Sequence, residues 1–387
     1  MSNTLRNPNP LPRRGVPRAP SASPAGSTPG SAPLPVPSPA AGGPAERRSS
    51  AGADWLPRLG RGLTSRYSLI AAALLLPVAL LFALGGWWSL QPAKFDVVAN
   101  AESMLGAERA DTVQGATTVA AAVQVAETLL RKPGGWLHND RLPPGVLMDN
   151  MPAWEYGALT ELRDSVRAMR NDFSRSQTQS IEHEALKNAD AELSFDPNAW
   201  FLPSAEDEYR QGTAALRSYL QALVSGRDST ARFHARADNL GAYLAVVEKR
   251  LGSYGQRLTA SVGDAELTGA LTGAGFEPAA GAQVLERTAW NAVDDVFFEA
   301  RGYTWALLHM MKALSVDFRK VLEDKNAEVS MQQIIRDLEQ ASMRKWSPVV
   351  LNGNGFGVLA NHSLVLASYI ARANAAVLDL RVLLQRG

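Results

Sequence analysis

Two arginines five residues apart, Arg170 and Arg175, bracket Asn171 and Asp172 in a run that continues through Ser176-Gln177-Thr178-Gln179-Ser180. A guanidinium presents a planar fork of N–H donors, so such a pair can clamp a carboxylate or a phosphate. The same residues also suit a solvated helix end. Upstream, Gly134-Gly135-Trp136-Leu137-His138-Asn139-Asp140 continues through Pro143-Pro144 to Met151-Pro152-Ala153-Trp154. A connection that long is expected to be functional or packed down. Trp136, Leu147, Met148 and Trp154 are expected to pin it to the protein body, leaving His138, Asp140 and Asp149 to line a groove with Arg170, Asn171, Asp172 and Arg175. A third group, Asp295 and Glu299, lies one helical turn apart and could share a cation or divide acid and base roles. His309 is about 15 Å further along the same helix and cannot complete that site. The alternative for this stripe is packing, with Gly302, Ala306 and Ala313 admitting a second helix and the polar ends in ion pairs. His234 with Asp238 forms a further polar pair at helical spacing.

Several chemistries are excluded or unsupported. With no cysteine in the chain there is no disulfide, thiolate metal site or cysteine nucleophile. The five histidines are scattered, and no H-E-x-x-H, G-x-S-x-G, P-loop or strand-led G-x-G-x-x-G occurs. Gly353-Asn354-Gly355-Phe356-Gly357 has the glycines of a phosphate loop but no Lys-Ser/Thr after it. No catalytic residue, cofactor or metal is assigned.

Positioning any such site falls to helices. Apolar residues recur at alternating spacings of three and four, the mark of helices packed in a bundle. Val293, Phe297, Ala300, Thr304, Leu307, Met311, Leu314, Phe318 and Val321 predict one long helix over about 285–324. Tyr209 to Leu223 and Phe233 to Leu258 predict two more, which their short break at Ser225-Gly226 would fold into an antiparallel hairpin over 204–259. Leu366 to Leu384 predict a C-terminal helix, and shorter ones are expected at 99–131, 153–174 and 328–344. Glycine-rich connections at 259–283 and 346–357 separate them, the first marking a possible subdivision. The expected fold is mainly α: a single N-terminal transmembrane helix followed by an elongated multi-helix bundle, with few or no strands.

The transmembrane helix is read from Leu69–Leu90, where Ser89 is the sole polar residue. Those residues span roughly 33 Å as a helix, enough for a ~30 Å hydrocarbon core. Their Leu, Ile, Val and Phe side chains favour insertion by about 5 kcal/mol. The run is longer than a signal-peptide core and 68 residues precede it, so an uncleaved anchor over 67–90 is expected. Arg58, Arg61 and Arg66 flank its N-terminal side, which the positive-inside rule places in the cytoplasm. Nine arginines against two acids give +7 up to residue 66, and the remaining 30 basic and 36 acidic residues give −6. That split suits two compartments and argues against a nucleic-acid partner. Residues 1–57 hold 13 of the 23 prolines, so 1–66 is expected to be a disordered cytoplasmic tail, passive or a proline-rich ligand, with 91–387 a periplasmic helical domain. The final apolar window, interrupted by Asn352, Asn354, Asn361 and His362, is read as a bundle helix and not a second span.

The strings LPPGVLMDNMPAWEYG (142–157), LRDSVRAMRNDFSRSQTQS (162–180), DPNAWFLPSAEDEYRQG (196–212), FHARADNLGAYLAVVEKRLGSYGQRLTASVG (233–263) and FFEARGYTWALLHMMKALSVDF (297–318) resemble the bacterial membrane-protein family known as domain of unknown function 2333. The likeness runs from about residue 70 to the C-terminus. It implies a single-pass membrane protein and transfers no activity or catalytic residue. Two functions fit. One is an inner-membrane protein whose bundle binds an envelope protein or a second copy of itself, with the lipid bilayer as its other partner. The other is a tethered enzyme or ligand-binding domain for a cell-wall or lipid component, its site between the 134–154 loop and Arg170–Arg175.

Overall fold

The computed structural model describes residues 66–175, 182–260, 288–345, 347, 349–353 and 358–386. The proline-rich tail, residues 176–181 of the polar run, nearly all of the 259–283 connection and Asn354–Gly357 lie outside the described residues. Twelve α-helices and no strand occur among them, so the chain is a helical bundle as its spacing predicts.

Helix α1 (Arg66–Trp88) contains the apolar run as far as Trp88, Pro77 included, and Ser89 and Leu90 lie past its end. Its stretch Ser68–Trp88 is long and apolar enough to cross a membrane, and none of it is buried by protein. The chain then enters α2 (Val97–Leu105), capped by Asp96, whose carboxylate accepts from the amides of Val98 and Ala99. Helices α3 (Ala107–Thr112) and α4 (Ala116–Arg131) follow. Gly115, at φ 87°, opens α4 in the left-handed region and leaves no room for a side chain against Phe233. Next come α5 (Asn150–Ala168), ending in a π turn at Met169–Phe173, α6 (Glu184–Leu193) and α7 (Ala205–Ser225). Then follow α8 (Ala237–Ala260), α9 (Val293–Asp317), α10 (Arg319–Asp324), α11 (Glu328–Ala341) and α12 (His362–Gln385).

The centre is the crossing of α5 with α9, the most extensive helix–helix contact in the molecule. Gly157 of α5 faces the backbone of Glu299 and Tyr303, and Gly302 of α9 faces the backbone of Trp154 and Ala158. Each glycine removes the Cβ that would hold the other helix away, as the small residues of the α9 stripe suggest. Helix α9 is apolar on nearly every side, with Tyr303, Trp305, Leu307, Leu308, Met310, Met311 and Leu314 buried, as a helix surrounded by others must be. It ends at Asp317 and restarts as α10 after Phe318, so the expected single helix is two, and residues 285–287 lie outside the described ones.

The predicted 204–259 hairpin does not form. Helix α7 packs on α6 and α4, whereas α8 packs chiefly on α12. The intervening Gly226–Arg236 is a strap and not a turn, and about ten extended residues can reach roughly 33 Å. Its anchor is Phe233, buried against Phe173 and Phe318, and the His234 amide donates to Phe173 O at 2.6 Å. With that plug in the core, each helix buries its stripe against a different neighbour. Helix α12 also has the length and composition to cross a membrane, yet Leu366, Ile370, Ala373, Val377, Leu380 and Leu384 are buried against α8 and α11. It is a core helix.

The segment between α1 and α2 is fastened to the bundle. The Phe95 amide donates to His309 Nε2 at 3.1 Å, and its ring stacks on the imidazole with centroids 3.9 Å apart. Arg301 donates to Gln91 Oε1 at 2.9 Å and to Ala341 O and Met343 O at the end of α11. Burial lowers the Arg301 pKa to about 10, and its partners are all neutral oxygens.

Candidate functional site

The residues chosen from spacing occupy two separate places. Arg170, in the π turn, donates Nε and Nη2 to Glu182 at 2.9 and 2.7 Å and Nη1 to Asp190 at 2.8 Å. Arg175 lies 3.6 Å from the other Glu182 oxygen. Asn171 is exposed, and Asp172 is half-buried with its pKa raised by burial against the pull of Arg175. The Arg170 fork is therefore occupied by the domain's own carboxylates, and Arg175 is held only by the longer ion pair to Glu182. At the other end of α5, His138 donates Nδ1–H to Pro152 O at 3.1 Å and stacks on Tyr156. Asp140 packs against Gly145, and Asp149 caps α5 by accepting from the Asn150 amide. Tyr156 and Arg170 are about 21 Å apart along the helix, so the loop and the arginine pair do not converge on one site. Trp136, Met148 and Trp154 do pack inward, but Leu147 is 79% exposed and pins nothing.

Glu299 accepts from both Arg257 nitrogens and from the Tyr254 hydroxyl at 3.1 Å. Asp295 lies beside Asp149 and Asp294, its pKa raised by burial and by those neighbours. His309 is occupied by Phe95 and Trp305. Among the described residues no group of three or more His, Asp or Glu could hold a metal ion.

What the fold does assemble is a groove of about 560 Å³ between α5, α8 and α9, with Ser194 at its edge. Tyr156, Thr160, Arg163, Asp164 and Arg167 come from α5, Arg250, Ser253, Tyr254 and Arg257 from α8, and Glu299 from α9. Four guanidiniums against two carboxylates leave it at +2. Arg250 pairs with Asp164 at 2.7 and 3.1 Å, Arg257 pairs with Glu299, and Arg163 donates to Leu193 O and Phe195 O at 2.6 Å. Arg167 is looser, 51% exposed, with ion pairs of 4.0 Å to Asp164 and 3.7 Å to Asp190. Its donors are the ones available to an incoming carboxylate or phosphate. Of the residues singled out from sequence, Glu299 lines this groove and His138 reaches its rim by stacking on Tyr156. The arginines were missed. Their signal is a polar face at helical spacing, Arg163 and Arg167 on α5 and Arg250, Ser253 and Arg257 on α8, which reads as ordinary solvated surface until the two helices are neighbours.

Behind the groove floor a carboxyl is sealed in the core. Glu161 is fully buried, with Oε1 accepting from Ser165 Oγ at 2.7 Å and from the Tyr243 hydroxyl. The Tyr303 hydroxyl adjoins the same carboxyl. Burial pushes the Glu161 pKa from 4.5 up to about 8, with the Tyr243 hydroxyl opposing. The folded state holds this proton more tightly than the unfolded chain does. The resulting stability is complete below the unfolded pKa and is lost as pH rises through about 8. Glu155, raised to about 7, and Asp317, raised to about 6, act in the same sense. His309, held near 4 by burial, acts oppositely as pH falls below its ordinary 6.5. Thermal unfolding is therefore expected at lower temperature at about pH 8.5 than at about pH 6.5, with Glu161→Gln flattening the decline. An equal decline in the variant would move its source elsewhere.

A second buried charge holds the 132–140 loop. Lys132 and Glu155 form an ion pair with side chains 1% and 0% exposed. Both Glu155 oxygens accept from the Leu137 amide at 3.0 Å, Oε2 also accepts from the His138 amide at 2.9 Å, and Lys132 donates to Gly135 O.

A helical bundle behind one exposed apolar helix, with an arginine-lined groove between its central helices, defines the class. Residues 62–387 match the family described as "Uncharacterized protein conserved in bacteria (DUF2333)", and the chain belongs to it. Comparison with curated proteins and with solved structures finds no match.

Proposed function

We propose that this is a single-pass inner-membrane protein that holds its bundle in the periplasm and binds an anionic ligand, a phosphate or carboxylate group, in the arginine groove. The observation that carries the reading is Arg167, a half-exposed guanidinium with only long ion pairs, facing a groove of net charge +2. The groove holds no His or Lys, and both its carboxylates are ion-paired, which favours binding over acid–base chemistry. A protein partner enters this reading as one carrier of the acid group.

The test is calorimetric titration of the full-length protein in detergent with inorganic pyrophosphate and with citrate. Arg167→Gln is expected to weaken binding about tenfold, the worth of one charge-assisted hydrogen bond. Equal affinity in parent and variant would remove the groove from consideration. Orientation is supported by Arg58 and Arg61 ahead of α1, Arg66 at its first position, and the excess of acids after it. A reporter that is active only in the periplasm, fused after Gly387, is expected to be active, and silence would reverse the topology.

A further inference from the structure

Two apolar tips stand away from the groove. Leu142, Val146 and Leu147, around a 3₁₀ turn at Gly145–Leu147, are 77%, 48% and 79% exposed. Trp200, Phe201 and Leu202, ahead of α7, are 58%, 68% and 81% exposed, the two rings 5.6 Å apart. The tips share a base. Asn139 Nδ2 donates to Ala199 O at 2.7 Å and Trp136 Nε1 to Pro197 O at 3.1 Å, so the loop bearing the first tip is bonded to the loop bearing the second. Clusters of this kind, unlike scattered surface leucines, mark a contact surface.

Helix α1 indicates what covers them. Pro144, between Leu142 and Val146, lies against Gly85, its Cβ 3.4 Å from where a Gly85 side chain would begin. Gly134, at the root of the same loop, packs on the Trp88 indole. Gly85 is inside the apolar run that ends at Leu90. The first tip is thus level with the end of the membrane-length helix and not beyond it. The segment leaving α1 is pinned at Gln91 and Phe95, which fixes the bundle to that helix end. Exposed aromatic and aliphatic side chains at that depth, with the exposed Arg141 adjoining Leu142, have the composition of an interfacial belt.

We propose that the two tips insert into the leaflet from which α1 emerges, so that the domain docks on the bilayer surface. The proposal rests on α1 spanning the membrane and does not require the arginine groove.

The cysteine-free chain allows a direct test. Single variants Leu147→Cys, Phe201→Cys, Leu75→Cys in α1 and Val329→Cys on α11 are labelled with an environment-sensitive fluorophore. The full-length protein is then reconstituted into phosphatidylethanolamine–phosphatidylglycerol vesicles with or without a spin-labelled lipid. Several-fold stronger quenching at 147 and 201 than at the exposed control 329, together with quenching at 75, supports docking. Quenching at 75 alone overturns docking and leaves the anchor standing, while no quenching at 75 overturns both. Shielding of 147 and 201 from an aqueous quencher without quenching by lipid would assign the tips to a second copy of the chain and also overturn the proposal.

Discussion

Gly302→Ala destabilises the bundle by about 3 kcal/mol or more, although alanine is the better helix former by about 1 kcal/mol. The two effects oppose each other, and geometry decides between them. A Cβ at residue 302 would overlap the Trp154 carbonyl and crowd the Ala158 amide, and a Cβ at residue 157 would overlap the Glu299 carbonyl. Backbone has no rotamer to move into, so relief requires α5 and α9 to separate along the contact that organises the core. Gly252→Ala in α8, where no atom lies within 4 Å of the added carbon, is the matched control. It is expected to be neutral or stabilising by up to about 1 kcal/mol. Urea unfolding of the two variants beside the parent measures both, and similar midpoints for Gly302→Ala and Gly252→Ala would refute the backbone crossing.

The second large effect is at Glu155. Glu155→Ala leaves Lys132 buried without a counter-charge and takes the acceptor from the Leu137 and His138 amides, a loss of about 3–5 kcal/mol. Removing both charges together, in Lys132→Met with Glu155→Leu, is expected to cost less than Glu155→Ala alone, because desolvating the pair consumes much of what its attraction returns. A double variant as unstable as the single one would show that the lost amide bonds dominate. Hydrogen exchange at residues 134–140 separates these contributions, since this loop is released first when its carboxylate anchor goes.

The helices were legible because burial leaves a stripe. Tyr209, Thr213, Leu216, Leu220 and Leu223 are all buried on α7, and Leu366, Ile370, Ala373, Val377, Leu380 and Leu384 are buried on the predicted C-terminal helix. A stripe says that a face is covered and not by what, so the pairing of α7 with α8 was misread. Phe233 in the strap, counted as the first residue of a helix, is the plug that sends the two apart. The groove was illegible for a related reason. Arg163, Arg167, Arg250 and Arg257 look like solvated faces one helix at a time, and they gain meaning only once α5 and α8 are adjacent. Arg170 showed the converse. Its fork looked free because Glu182 and Asp190, which fill it, arrive from later in the chain.

The pinned segment between α1 and α2 has a mechanical consequence. A slack linker would let the bundle swivel and sample many heights above the bilayer, whereas Gln91, Lys94 and Phe95 are bonded to α9 and α11 within a few residues of the helix end. With α1 spanning the bilayer as proposed, its tilt or rotation on a change in bilayer thickness would be delivered to the helix that carries Gly302 and Glu299. In that arrangement α1 would act as a lever whose short arm, Gln91 to Phe95, is bonded to the core.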